Sequence, residues 1–395
     1  MKKIIALLLA ALMLLTVTAC AKPEPEKPAD TAAPVVEQPT AEPAPTEEPA
    51  PEPTAEPEPT EEPLPETFLF TDSVGREVEL PTNIERVAIS GPLAQIVVFA
   101  LCPDKLVGIA SKWDKTAEQF LDTAYYNLPE LGQLYGGKGE LNLETLLNSG
   151  AQVVIDVGEP KGTIVEDLDG LTEQTGIPFV HITATIATMG DAYRKLGELL
   201  HMPEEAEVLA AYCDRVYADT LKIAGSVEKA NLLYITGENG LNVIAKDSYH
   251  AEIIDLLSNN LAVVESPSSK GTGNEVDMEQ LLLWNPDVIL FAPGSIYATV
   301  GADDTWKSIT AIQNGAYYEV PMGPYNWMGF PPSVQRLLGM LWMAKLLYPD
   351  AAQYDLYDAV KEYFNLFYHC DLGESDFDAL VANSIGAQEA LAPAA

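Results

Sequence analysis

The 395-residue chain predicts two Rossmann-like α/β lobes with central parallel sheets, joined by a single long backbone helix, with a ligand cleft between the lobes. Three observations carry this. A helix–turn–strand unit occurs twice, as NLETLLNSGAQVVID at 142–156 and as DMEQLLLWNPDVILF at 277–291. Nearly all-apolar strand-length runs alternate with helical patterns on both sides of residue 210, the mark of parallel sheets covered on both faces. Between the two series Ala206, Leu209, Cys213, Val216, Thr220 and Ile223 recur at steps of three and four, a helical stripe.

In chain order, residues 1–20 read as a secretory leader. Lys2 and Lys3 precede an apolar run from Ile4 to Leu15, too short for the roughly 20 helical residues that span a bilayer. The VTAC that ends it is similar to the lipobox of bacterial lipoproteins, which implies lipid on Cys20. Residues 21–66 are dominated by Pro, Glu, Ala and Thr and contain no aromatic residue. Such a segment buries too little apolar surface to offset its ordering entropy and is expected to be a disordered tether. Extended as polyproline II it reaches up to about 140 Å.

The next lobe is expected over 67–190. RVAIS (86–90) reads as a buried strand, PLAQIVVFAL as a helix and KLVGIA (105–110) as a strand. The first copy of the repeated unit follows, then a helix ended by Gly176 and the strand IPFVHIT. The connecting helix is expected over 191–226, its second segment opened by Pro203, Glu204 and Glu205 and ended by Gly225. The second lobe, 227–395, restarts with NLLYIT and LNVIA as strands and YHAEIIDLL as a helix. The second copy of the unit, AYYEVP, a helix over Ser333–Leu347 and a disordered tail end complete it.

The formal charge is −37. The tether holds 13 acids and 2 lysines, the leader two lysines, which leaves −28 on 67–395. That balance argues against a nucleic-acid partner, whose phosphates call for Lys and Arg. Beyond Cys20 only Cys102, Cys213 and Cys370 remain, enough for at most one internal disulfide. The four histidines are scattered, so no metal cage is expected, and no cofactor.

With a lipobox, a tether, two α/β lobes and one connecting helix, the chain resembles the substrate-binding lipoproteins of ABC importers, in the helix-linked class that serves iron–siderophore, haem and cobalamin uptake. TDSVGREVELPTNIERVAIS resembles that family's opening segment, the repeated unit its paired lobe signatures, and YNWMGFPPSVQRLLGMLWMAKLLYP its last cleft loop and following helix. The resemblance covers roughly 68–370. It implies a protein outside the cytoplasmic membrane, lipid-anchored, that hands a small molecule to a dimeric permease with its ATPase.

Asn142 and Asp277 are N-cap types, which puts Glu144 and Glu279 in the first turn of each repeated helix. Helix-dipole stabilisation of about 0.3–1 kcal/mol explains an acid there. The resemblance adds a second role for Glu144 and Glu279, docking onto permease arginines.

Ligands of open parallel sheets meet the loops at the carboxyl ends of strands. That rule selects Ser90, Trp113, Tyr135, Gly158 and His181 from the first lobe, and Tyr249, His250, Ser295, Tyr325, Asn326 and Trp327 from the second. Arg336 joins them, because a cation at a helix N-terminus is misplaced by the dipole and wants an acid or an anionic ligand. The frequent aromatics suit a bulky metal chelate, with an iron–siderophore first, a corrinoid next and haem third. A molybdate or tungstate oxyanion is the alternative, and would want N–H groups and hydroxyls. A surface sensory or adhesion lipoprotein is another reading. An enzyme is not expected, since no G-x-S-x-G, Walker loop, dinucleotide fingerprint or HExxH occurs.

Overall fold

The computed structural model describes residues 65–135 and 140–386. The leader, Cys20, nearly all of the tether and the tail end lie outside the described residues.

A hairpin comes first, β1 (Thr67–Thr71) antiparallel to β2 (Glu77–Pro81). The Asp72 carboxylate closes its turn by accepting from the backbone N–H of Val74 and Arg76. Next, β3 (Val87–Ile89) leads into α1 (Pro92–Leu101), with proline pre-setting φ at the first helical position. The run 105–110 forms only isolated bridges. Its hydrogen bonds are divided between two neighbours, Val107 N–H to Val87 and Ile109 N–H to Pro129, so no ladder extends. The short α2 (Thr123–Tyr126) follows.

The repeated unit is the clearest case of local sequence setting local structure. In the first copy α3 (Leu143–Ser149) is capped by the Asn142 side chain on Thr145 N–H at 2.9 Å. In the second copy Asp277 caps Gln280 N–H at 2.8 Å, at the head of α8 (Met278–Trp284). Each cap contributes about 1 kcal/mol. Both helices end on a left-handed residue, Gly150 or Asn285. Each then feeds a central strand, β4 (Val153–Gly158) or β10 (Val288–Phe291).

After β4 come α4 (Ile164–Thr175) and β5 (Phe179–Thr183), giving a parallel sheet in the order β3-β4-β5. One face of it, with Val87, Ile155 and Ile182, enters the main core; the other, with Ala88, Val154 and Phe179, packs against Leu146 and Leu168 of the flanking helices. The connection is two helices, α5 (Met189–Leu200) and α6 (Pro203–Ser226). His201 turns left-handed between them and Pro203 opens the second. All six residues of the expected stripe are buried on α6. At 24 residues it is about 36 Å long. It runs one residue past Gly225, whose lone weak propensity does not stop a helix held by its packed face.

The second sheet is mixed. It contains β6 (Asn231–Thr236), β7 (Asn242–Val243), β8 (Asn259–Asn260), β9 (Asn274–Glu275), β10 and β11 (Tyr317–Glu319), with α7 (Glu252–Leu257), α9 (Tyr297–Val300) and α10 (Thr310–Gln313) in the connections. The order is β11-β10-β6-β7-β9, with β8 beside β6. β10, β11 and β8 run parallel to β6, whereas β7 and β9 are antiparallel additions. The short connection from β6 to β7 turns the chain back on itself, and a tight turn permits only an antiparallel pair.

Three helices finish the described chain: α11 (Arg336–Leu347), α12 (Leu356–Tyr368) and α13 (Glu374–Val381). α11 is buried on nearly every side, with the Trp342 indole N–H on Ser384 at 3.0 Å. α12 follows the second sheet in sequence yet packs against α1 of the first half. Its aromatic stripe explains the crossing, since Phe364 meets Phe120 and Phe367 meets Tyr193 and Tyr212 in edge-on pairs. α6 is therefore assisted by a second brace. Among the described residues no helix is long and apolar enough to cross a membrane.

Gly339 of α11 lies against the loop carrying Tyr325–Trp327, and a Cβ there would stand 2.4 Å from the Trp327 carbonyl oxygen. Backbone cannot yield as a side-chain tip does. Gly339→Ala is expected to lower stability by about 2 kcal/mol despite the better helix propensity of alanine. Urea unfolding would show an unchanged midpoint if that contact were slack.

Candidate functional site

Ser90, Asp156 and His181 form one row across the carboxyl side of the first sheet. Register makes the row, because Asp156 pairs with His181 on β5, and Ser90 N–H bonds the carbonyl of Ile155 beside it. Alternation puts Asp156 on the same face as Val154. Its carboxylate accepts from the Ser90 hydroxyl on one oxygen and lies 2.7 Å from His181 Nδ1 on the other. Nδ1 therefore carries the proton toward Asp156, and Nε2 stands buried with no partner. Tyr135 lies near this row with its hydroxyl bonded to Asp167 of α4 at 2.6 Å. Burial, then that bond to a carboxylate, raises its pKa. Gly158 ends β4 at φ 139, and a side chain there would press on Leu93 of α1.

A second cluster belongs to the other half. Arg336, at the start of α11, is 1 % exposed. Its Nη1 donates to the Glu252 carboxylate and to the Tyr249 carbonyl, and its guanidinium lies 5.1 Å from the Tyr249 ring centre. Nε and Nη2 have no acceptor, and the Ser248 hydroxyl beside Tyr249 has no partner. A buried guanidinium with two of its three nitrogens unused is costly unless something anionic meets them. His250 is held by Gly329 O at 3.4 Å, and its pKa is lowered by burial first and by the Arg336 charge last.

The segment before Arg336 meets the first half at the start of α1. The hydroxyl of Ser333, three residues before Arg336, donates to the Leu93 carbonyl in the first turn of α1 at 3.1 Å. The Glu159 charge, next to Gly158, contributes to raising the Tyr249 pKa after the larger effect of burial. The N-terminus of α1 has Gly91 as its cap residue and no side-chain capping bond.

Trp113, Tyr325, Asn326 and Trp327 are occupied in packing and internal hydrogen bonds. Trp113 is buried between Phe99 and Tyr325, with its indole N–H on Tyr125 O. The Tyr325 hydroxyl accepts from Gln95 at 2.9 Å, and Gln95 accepts from Ala110 N–H. Asn326 bonds the Tyr234 hydroxyl, and Trp327 is fully buried with its N–H on Gly323 O. Ser295 follows β10, with its hydroxyl buried and unpartnered. A cavity of about 230 Å³ opens between Gln119, Pro293, Pro321 and α13, and its lining includes none of the sequence candidates. Glu144 and Glu279 are exposed in the first turns of α3 and α8.

Sequence reasoning missed Asp156, Gln95 and Glu252. The first two carried a signal, a lone polar residue inside an apolar strand (VVIDVG) and inside an apolar helix (PLAQIVVFAL). Glu252 carried none, because its pairing with Arg336 spans 84 residues.

Two α/β halves braced by a long helix, with the segment before α11 bonded to the start of α1, are the architecture of a two-lobed solute-binding protein. Residues 99–322 match the periplasmic binding protein family, and the chain belongs to it. It is 25% identical over 332 residues to the molybdate-binding protein MolA of Haemophilus influenzae, covering 76% of this chain and 90% of that one. An ABC transporter solute-binding protein from Sulfurospirillum deleyianum superposes with a TM-score of 0.72 at 27% identity, over 79% of this chain and 98% of that one. A periplasmic solute-binding protein from Veillonella parvula gives 0.67 and 27%, over 80% and 97%. The chain is thus the solute-binding component of an ABC transporter, an extracytoplasmic class that serves a cognate permease and its ATPase.

Proposed function

We propose that this protein binds a small tetrahedral oxyanion of the molybdate or tungstate class and delivers it to its permease. The observation that carries the reading is Arg336, a buried guanidinium with Nε and Nη2 unused. The uncapped start of α1 supplies backbone N–H groups nearby, and hydroxyls such as Ser248 add neutral donors. The relation to a molybdate-binding protein supports the same class. An iron–siderophore, corrinoid or haem would instead use broad aromatic walls, and Trp113, Tyr325 and Trp327 are engaged in packing. We further propose that Cys20 carries a lipid anchor and that the tether holds the lobes away from the membrane.

The test is isothermal titration of the full chain with molybdate, tungstate, sulfate and a ferric catecholate siderophore. Saturable binding of molybdate or tungstate, with the siderophore inert, is the expected result. Tight siderophore binding with no oxyanion response would overturn the reading.

A further inference from the structure

The two copies of the helix–strand unit share a feature that neither capping nor core packing requires. On α3, Leu147 stands one turn after Glu144 and is 50% exposed. On α8, Leu282 and Leu283 stand one turn after Glu279 and are 37% and 78% exposed. The buried member of each helix is a different leucine, Leu146 or Leu281. The exposed leucines are therefore surplus to the core, and they lie on the same helix face as the acid at a spacing of three or four residues. Among the described residues neither Glu144 nor Glu279 makes an ion pair. Beside α8 a shallow groove of about 520 Å³ runs past Asp277, Gln280 and Trp284 to Val263, itself 66% exposed.

We infer that Leu147 and Leu283 are apolar anchors of a bipartite docking surface that fits a basic membrane permease made of two like halves. This rests on Glu144 and Glu279 being the charged contacts of that same surface. Charge selects the occupant. A second copy of this chain, at −37, would bring acid against acid. A cationic partner is attracted at both places. Chemical duplication on the two lobes suits a partner whose own surface is duplicated. Each acid steers and sets register, while the leucine next to it supplies the dry contact that holds the complex once water leaves.

The test uses the full chain and its cognate permease–ATPase complex in nanodiscs without added solute. It reads docking affinity, stimulation of ATP hydrolysis and the thermal midpoint of the free protein. Leu147→Ser with Leu283→Ser is expected to weaken docking about tenfold. That loss should persist at high salt, with an unchanged thermal midpoint because both sites are exposed. Glu144→Ala with Glu279→Ala is expected to weaken docking strongly at physiological salt and by less as salt is raised further. If the acid pair weakens docking and the leucine pair does not, the leucine inference is overturned while the docking reading stands. If neither pair changes it, the docking reading falls as well. Loss of a self-dimer in sedimentation by the leucine variant, with docking intact, would assign the surface to a second copy and also overturn the inference.

Discussion

Arg336→Gln is expected to weaken oxyanion binding by a hundredfold or more. Removing one partner of a buried charged contact costs about 2–5 kcal/mol, and each 1.4 kcal/mol is a factor of ten. Glutamine keeps some donor capacity but loses the charge and the planar fork that meets two oxygens at once. The free protein should lose some stability too, because Glu252 is left without its cation. Its side chain is 28% exposed, so water offsets part of that loss. Glu252→Gln is the informative companion. It removes the acid that now neutralises the guanidinium, and an anion should bind severalfold tighter. Calorimetry with molybdate on the three proteins reads both effects. An Arg336→Gln protein that titrates like the parent would remove the guanidinium from the site.

The second large effect concerns delivery. Glu144→Ala combined with Glu279→Ala should abolish import while leaving solute affinity within about twofold. Both acids lie exposed in the first turns of α3 and α8. Losing them costs the fold only the dipole term, about 0.3–1 kcal/mol each. Paired measurement of uptake in cells and affinity in solution separates the roles. Uptake at the parent rate by the double variant would show that these acids serve only their helices.

Much of the fold was legible because its signals are local. Asn142 and Asp277 announce helix starts by chemistry that acts within three residues, and the α6 stripe announces a buried face by period alone. The site was legible only in part. The strand-end rule named Ser90, His181 and Tyr249 and the dipole argument named Arg336, and their side chains or neighbours hold polar networks. The strand-end rule also named Trp113, Tyr325 and Trp327, which are buried, with Trp113 against Tyr325. An aromatic in a loop has the same spelling whether it faces solute or packs against Phe99.

By itself, then, the sequence determined the two α/β halves, the long helix between them, and the duplicated capped units that carry Glu144 and Glu279. Each of these follows from interactions between residues a few positions apart or from a repeating period. Tertiary structure alone decided that α12 returns to brace the first half, that Asp156 joins Ser90 to His181, and that Glu252 holds Arg336 by one side of its fork. Those partners are separated by 25 to 84 residues in the site, and by more in the brace. Contacts at such separations depend on how sheets and helices pack, which no local pattern encodes.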